Sequence, residues 1–167
     1  ISCDYVRSIY QGKDNRLWIC TIDGLNQYLY DKDEFIHYRH DPSDSTSLSN
    51  DIIRCTYQDR KGRLWVGTSS GLNRGILDES TGLLYFEHFS ERDGLPNDII
   101  YGIQEDQAGN LWISTNRGIS CFDPEKRSFR NYDFDNGLQG DEFNQNAQFL
   151  NAAGEFFYGG INGFNIF

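Results

Sequence analysis

At 167 residues, with 38% apolar and 15% aromatic content, the chain is long enough for one domain with a real core. Its formal net charge of -10 argues against a protein that tracks nucleic-acid phosphates, which needs a basic face, and against a polyanionic ligand unless a local basic patch survives. No run approaches the roughly 20 apolar residues of a membrane span, no signal peptide opens the chain, and the missing initiating Met leads us to expect a piece of something longer.

Taken in chain order, the first segment is ISCDYVRSIY from Ile1, followed by RLWICTIDGL at Arg16–Leu25. The same pair then recurs as LSNDIIRCTY from Leu48 with RLWVGTSSGL at Arg63–Leu72, and as LPNDIIYGIQ from Leu95 with NLWISTNRGI at Asn110–Ile119. A weaker fourth copy of the second segment, EFFYGGINGF, spans Glu155–Phe164. Trp18, Trp65 and Trp112 are 47 residues apart, and Gly24, Gly71 and Gly118 keep that step, with Gly163 as the counterpart in the tail. The repeat units are therefore about 1–47, 48–94 and 95–141, with half a unit in 142–167, all within one domain spanning 1–167.

Each unit divides into four short runs rich in β-branched and aromatic residues, bounded by Gly, Asn and Asp, which read as strands. No segment carries a capped helical period. Four strands at a period of 40–50 residues predict an all-β protein, a partial β-propeller of about three and a half four-stranded antiparallel blades. A two-sheet sandwich is the structural alternative, and it leaves three exact recurrences unexplained. The glycine ending the 2–3 turn is expected at positive φ. The three tryptophans are expected to pack between adjacent blades, because a blade cannot bury both faces alone. A ligand-stacking ladder is the competing reading. Length changes fall in connections: a longer 3–4 hairpin in the second unit, and DPSDSTS after the first.

With its residues in place, the pattern resembles the regulator-propeller repeats of hybrid two-component sensors. IIYGIQEDQAGNLWISTNRGIS and IIRCTYQDRKGRLWVGTSSGLN carry the resemblance, and the tail is similar to the last blade of such sensors. The resemblance implies a non-catalytic periplasmic sensor segment of an inner-membrane-anchored protein that detects a polysaccharide-derived ligand, with the histidine kinase elsewhere in the longer chain. The first unit departs from the pattern at Asn15 and Cys20. Cys20 and Cys55 read as small packed residues. Cys3 and Cys121 fit no pattern.

The sequence offers no catalytic constellation: no HExxH, no GxSxG and no Walker loop. His37, His40 and His88 read as strand or strand-end residues rather than phospho-acceptors. Asp31, Asp33 and Glu34, and their counterparts Asp78 and Glu79, read as solvated hairpin carboxylates. DFDNG at Asp133–Gly137 lacks the remaining ligands of a calcium loop. We therefore expect no metal, no cofactor and no nucleic-acid or direct membrane contact.

In a propeller the first strands line the axis, which singles out Arg7, Arg54 and Tyr101 as equivalent polar positions facing any axial ligand. Asp23, Asn116 and Arg117 on the 2–3 turns are added as candidate contacts to an oligosaccharide. The rivals are a propeller enzyme acting on carbohydrate, a lyase or glycosidase, and a protein-interaction scaffold. Unfinished edges predict either completion by the rest of the propeller or a homodimer closing a seven-bladed ring.

Overall fold

The structure, a computed structural model, describes residues 1–167. Its strands are β1 Val6–Gln11, β2 Leu17–Thr21, β3 Leu25–Leu29, β4 Glu34–Tyr38, β5 Ile53–Gln58, β6 Leu64–Thr68, β7 Gly71–Leu77 and β8 Leu84–Phe89. They continue with β9 Ile100–Glu105, β10 Leu111–Thr115, β11 Ile119–Asp123, β12 Ser128–Tyr132, β13 Phe143–Leu150, β14 Phe156–Gly160 and β15 Gly163–Ile166. Three antiparallel sheets have four strands each, in the orders β1-β2-β3-β4, β5-β6-β7-β8 and β9-β10-β11-β12. These are blades 1 to 3. Residues 142–167, expected as half a blade, form the three-stranded sheet β13-β14-β15, blade 4. The only helical segments are two single 3-10 turns, Glu91–Asp93 and Phe134–Asn136, both in links from a fourth strand to the next first strand. DFDNG is one of these turns: Asp133 caps it by accepting from the Asp135 amide, which accounts for its carboxylate without a metal.

First strands of consecutive blades, β1 with β5, β5 with β9 and β9 with β13, lie against one another and so surround the axis. A core fills each space between blades. Trp18 packs with Tyr38, Leu64, Val66 and Phe86 between blades 1 and 2. Trp65 packs with Phe89, Ile103, Leu111 and Phe122 between blades 2 and 3. Trp112 joins Phe143, Phe156 and Tyr158 between blades 3 and 4. Trp18 and Trp65 are 2% and 0% exposed, so both serve packing and neither is open for stacking on a ligand. Cys20 and Cys55 lie in the same layers, and all four cysteines are free. Burial pushes the Cys20 thiol up to about 11 and Cys55 higher still, which keeps both protonated and unreactive.

The repeated glycine has two functions. Gly24, Gly71 and Gly118 hold φ of +105°, +107° and +84°, a region that strains residues with a Cβ. A Cβ on Gly71 would also lie 2.5 Å from the Phe89 carbonyl oxygen. That closeness lets each glycine N–H donate to the next blade, Gly24 to Asp51 O at 2.8 Å, Gly71 to Asp98 O at 2.7 Å and Gly118 to Asp141 O at 2.6 Å. The same aspartates cap the preceding link through their carboxylates, which accept from the backbone N–H of His40, Glu91 and Phe134. Gly163 also has positive φ, but nothing lies within 4 Å of its Cβ direction, since blade 4 has no fourth strand here.

Gly71→Ala is expected to cost roughly 1–3 kcal/mol in backbone strain alone. At roughly 2–4 °C per kcal/mol, and with the clash against Phe89 added, the melting temperature should fall by about 5 °C or more. Gly82→Ala, at φ +73° with open space around it, should lose less than half as much. Equal losses by calorimetry would show that the close approach between strands is not what requires Gly71.

Candidate functional site at the propeller axis

Every first strand carries a bulge at the same place. Val6 pairs with Thr21 and Ser8 with Cys20, which leaves Arg7 as the extra residue. Ile53 pairs with Thr68 and Cys55 with Gly67, leaving Arg54. Ile100 pairs with Thr115 and Gly102 with Ser114, leaving Tyr101. A bulge twists the strand and re-aims a side chain, and here it turns these three residues toward one another at the axis. In blade 4 the irregularity is larger: Phe143 pairs with Gly160 and Gln148 with Tyr158, so Asn144–Ala147 stand out of register. Asn146 takes φ +57° within this segment.

The enlarged bulge reaches across the axis. Gln145 Oε1 accepts from Arg7 Nη1 at 2.8 Å and, weakly, from Arg54 Nη1 at 3.5 Å. Its amide nitrogen donates to the Arg54 carbonyl at 2.9 Å, and Asn146 Nδ2 donates to the Arg7 carbonyl at 3.4 Å. The Arg54 Nε donates to Ser69 Oγ at 2.9 Å, and its guanidinium lies over the Tyr101 ring at 5.1 Å. Tyr101 in turn donates its hydroxyl to Asn116 Oδ1 at 3.1 Å. Burial of Arg54, with Arg7 nearby, lowers its pKa, although it stays a cation.

The structure thus brings together Arg7, Arg54, Tyr101 and Asn116 from the candidate set. It does not bring in Asp23 or Arg117. Asp23 forms a 2.6 Å ion pair with Arg39, and Arg117 is exposed and shares no hydrogen bond or ring contact with the axial group. The reason is the geometry of the 2–3 turn, in which the first residue after the threonine, Ser69 or Asn116, meets the axial side chains. The second residue instead donates its N–H back to that threonine. Sequence reasoning missed Ser69, Gln145 and Asn146. A signal existed for the last two: Ile53 to Trp65 and Ile100 to Trp112 are 12 residues, whereas Phe143 to Phe157 is 14.

The opposite face, where the 1–2 turns emerge, holds a cleft of about 590 Å³ lined by Lys13, Tyr57, Arg60, Glu105, Gln107 and Phe156 among others. Its buried carboxylate is already taken: Arg60 pairs with Glu105 at 3.2 Å and donates its backbone N–H to it. Burial, with Glu105 adding to it, pushes the Tyr57 hydroxyl up to about 12, so it stays protonated. The histidines are structural as well. His40 Nδ1 and His88 Nε2 donate to the Leu48 and Ser47 carbonyls, and His37 is bonded to Asn26. No group of three or more His, Cys, Asp or Glu is arranged to hold a metal ion.

The aspartate of the 1–2 turn supports these faces. Asp59 accepts from Trp65 Nε1 at 2.9 Å and from Arg63, and Asp106 accepts from Trp112 Nε1 at 3.1 Å and from Asn110. At Asp106 burial opposes ionisation, but the Asn110 and Trp112 hydrogen bonds outweigh it and hold the pKa below the ordinary carboxylate value. A depressed native pKa means that Asp106 stabilises the fold above the ordinary carboxylate pKa and that this contribution is lost as pH falls through the lower native value. Asp106→Asn should therefore flatten the acid limb of stability measured below about pH 4. An unchanged acid limb would remove Asp106 from the account.

These blades, their inter-blade cores and the polar axis define a partial β-propeller. The family model for the two component regulator propeller matches residues 1–23, 47–70 and 94–117, each running from before a first strand to the 2–3 turn. Blades 1 to 3 thus each carry a two component regulator propeller repeat. It superposes on the extracellular domain of BT3049 of B. thetaiotaomicron, assigned to a hybrid two component system, with a TM-score of 0.85, 30% identity and 100% of this chain covered. The extracellular domain of BT4673 from the same organism, with the same kind of assignment, matches at a TM-score of 0.80 and 24% identity over 100% of this chain. The chain spans only 22% and 23% of those two domains. Virginiamycin B lyase of Staphylococcus aureus matches at a TM-score of 0.66 and 14% identity, over 98% of this chain and 55% of the lyase, a likeness of fold alone. No match is found among curated proteins. No helix is long and apolar enough to cross a membrane.

Proposed function

We propose that this chain is a stretch of the periplasmic sensor propeller of a membrane-anchored hybrid two-component regulator, and that it binds a polysaccharide-derived ligand at the axis without catalysing any reaction on it. The observation that carries this reading is the convergence of one bulged residue per blade at the axis, where Arg7 and Arg54 meet Gln145 of blade 4 and the Tyr101 ring lies under Arg54. A contact built from every blade senses their relative positions, so a ligand there can bias how the blades pack and pass that bias along a rigid domain. The similarity to a domain assigned to a hybrid two component system supports the sensor context. The absence of catalysis is supported by the paired state of Glu105 at the cleft and by an axial group without a carboxylate.

A thermal-shift panel of oligosaccharides tests this. A ligand at a hundredfold excess over its Kd stabilises the native state by about 2.7 kcal/mol, roughly 5–10 °C for a chain of this size. Tyr101→Ala should abolish the shift. The reading fails if no oligosaccharide moves the melting temperature of this chain or of a longer sensor region containing it, or if a sugar is turned over.

We also propose that the two outer faces are covered by the rest of the propeller or by a second copy. Val6 and Ile9 on blade 1 are 41% and 65% exposed, and Phe149, Phe164 and Ile166 on blade 4 are 62%, 63% and 52% exposed. If a second copy covers them, light scattering at micromolar concentration gives twice the 19.3 kDa chain mass. A clean monomer leaves the longer chain as the cover.

A further inference from the structure

Most of the arginines are either ion-paired or exposed. Arg16, Arg39, Arg60, Arg63, Arg74 and Arg127 each pair with a carboxylate, and Arg92, Arg117 and Arg130 are exposed. Arg7 and Arg54 are the two that are half-buried and yet have no carboxylate, in a chain with 25 acidic and 15 basic residues. Acidic partners are abundant, so a half-buried pair of cations without one is a deficit that a partner from outside would meet.

The geometry marks where that partner's charge belongs. Gln145 Oε1, an uncharged oxygen, sits at the point where the two guanidiniums converge. Hydrogen bonds from guanidinium to an anionic oxygen are about twice as strong as those to a neutral one. One amide oxygen also leaves donors unused, since Arg7 Nε is buried and has no partner. Arg54 is fixed from two sides, by Ser69 at its Nε and by the Tyr101 ring beneath its plane. Its outer edge therefore points at the same place without further ordering, and a planar oxyacid can be held bidentately there. Gln145 lies on the out-of-register segment of β13, where no ladder bond to β14 constrains residues 144–147.

We propose that Arg7 and Arg54 form a seat for one carboxylate or sulfate group, displacing the Gln145 amide, so that the ligand taken at the axis is an acidic sugar rather than a neutral one. This rests on the axial reading above and narrows its ligand class. The overall charge of -10 does not oppose it, because the field that matters is that of two unpaired guanidiniums a few ångströms from the bound group.

Titration calorimetry of the 167-residue chain at low ionic strength with glucuronate, glucose 6-sulfate and glucose tests the seat and separates its two possible anions. At least one anionic sugar should bind ten times or more tighter than glucose, and the affinity should fall with added salt. Arg54→Gln should weaken that binding at least tenfold. Gln145→Glu supplies the missing carboxylate from within; it should abolish anion binding while leaving the melting temperature unchanged or higher, which no loss of folding can imitate. Equal binding of glucose and both anions, no binding of either anion, or anion binding that survives Gln145→Glu overturns the proposal. Neutral oligosaccharides that shift the melting temperature in both variants would leave the sensor reading standing and remove the anion seat. Anion binding with no oligosaccharide response would do the reverse.

Discussion

The amide of Gly71 donates to the Asp98 carbonyl of the following blade at 2.7 Å, and each joint between consecutive blades repeats this bond. It exists because a residue without a Cβ can press against the carbonyl of its own fourth strand while holding positive φ. The aspartate uses its other end to cap the incoming link. One glycine and one aspartate therefore fix the direction in which each new blade departs. Tryptophan-centred cores fill the wedge that results. Everything at the axis depends on this joint, since the bulged residues meet only if successive blades turn by the same amount.

The joint is stiff and the axis is less so. Bulges replace regular ladder bonds at the point where the side chains converge, and in blade 4 four residues are released from register at once. Such a site combines rigid supports with a loose centre, an arrangement suited to recognition. The two faces differ accordingly. At the 1–2 face, Glu105 is already neutralised by Arg60. At the axis two cations share a single neutral acceptor. A net acidic chain can thus present a local cationic site, which its composition did not suggest.

The period of 47 residues made the blades, the strand count per blade and the packing role of the tryptophans legible, because each residue type recurs wherever the same contact recurs. The equivalence of Arg7, Arg54 and Tyr101 was legible for the same reason. Their inward direction was expected from the place of first strands in a propeller, whereas the bulge that achieves it has no signature of its own in a strand pattern. Asp23 and Arg117 lie on the 2–3 turns as expected but do not join the axial group, because adjacent positions in a tight turn look alike in sequence while their backbone N–H groups fold back onto Thr21 and Thr115. Gln145 left only the two-residue excess between Phe143 and Phe157 as its trace, because the tail loses the repeat where the insertion lies.

By itself, then, the sequence determined which contacts are made over and over: apolar faces between blades, glycine at the turn, aspartate at the link. Periodic chemistry is readable because one explanation must serve three positions. The tertiary structure alone decided which side chains meet once, across the axis, from blades 1, 2, 3 and 4. Residues 7, 54, 101 and 145 are far apart in the chain, and only the accumulated turn of the blades, plus an irregularity in one strand, brings Arg7 and Arg54 onto the same oxygen.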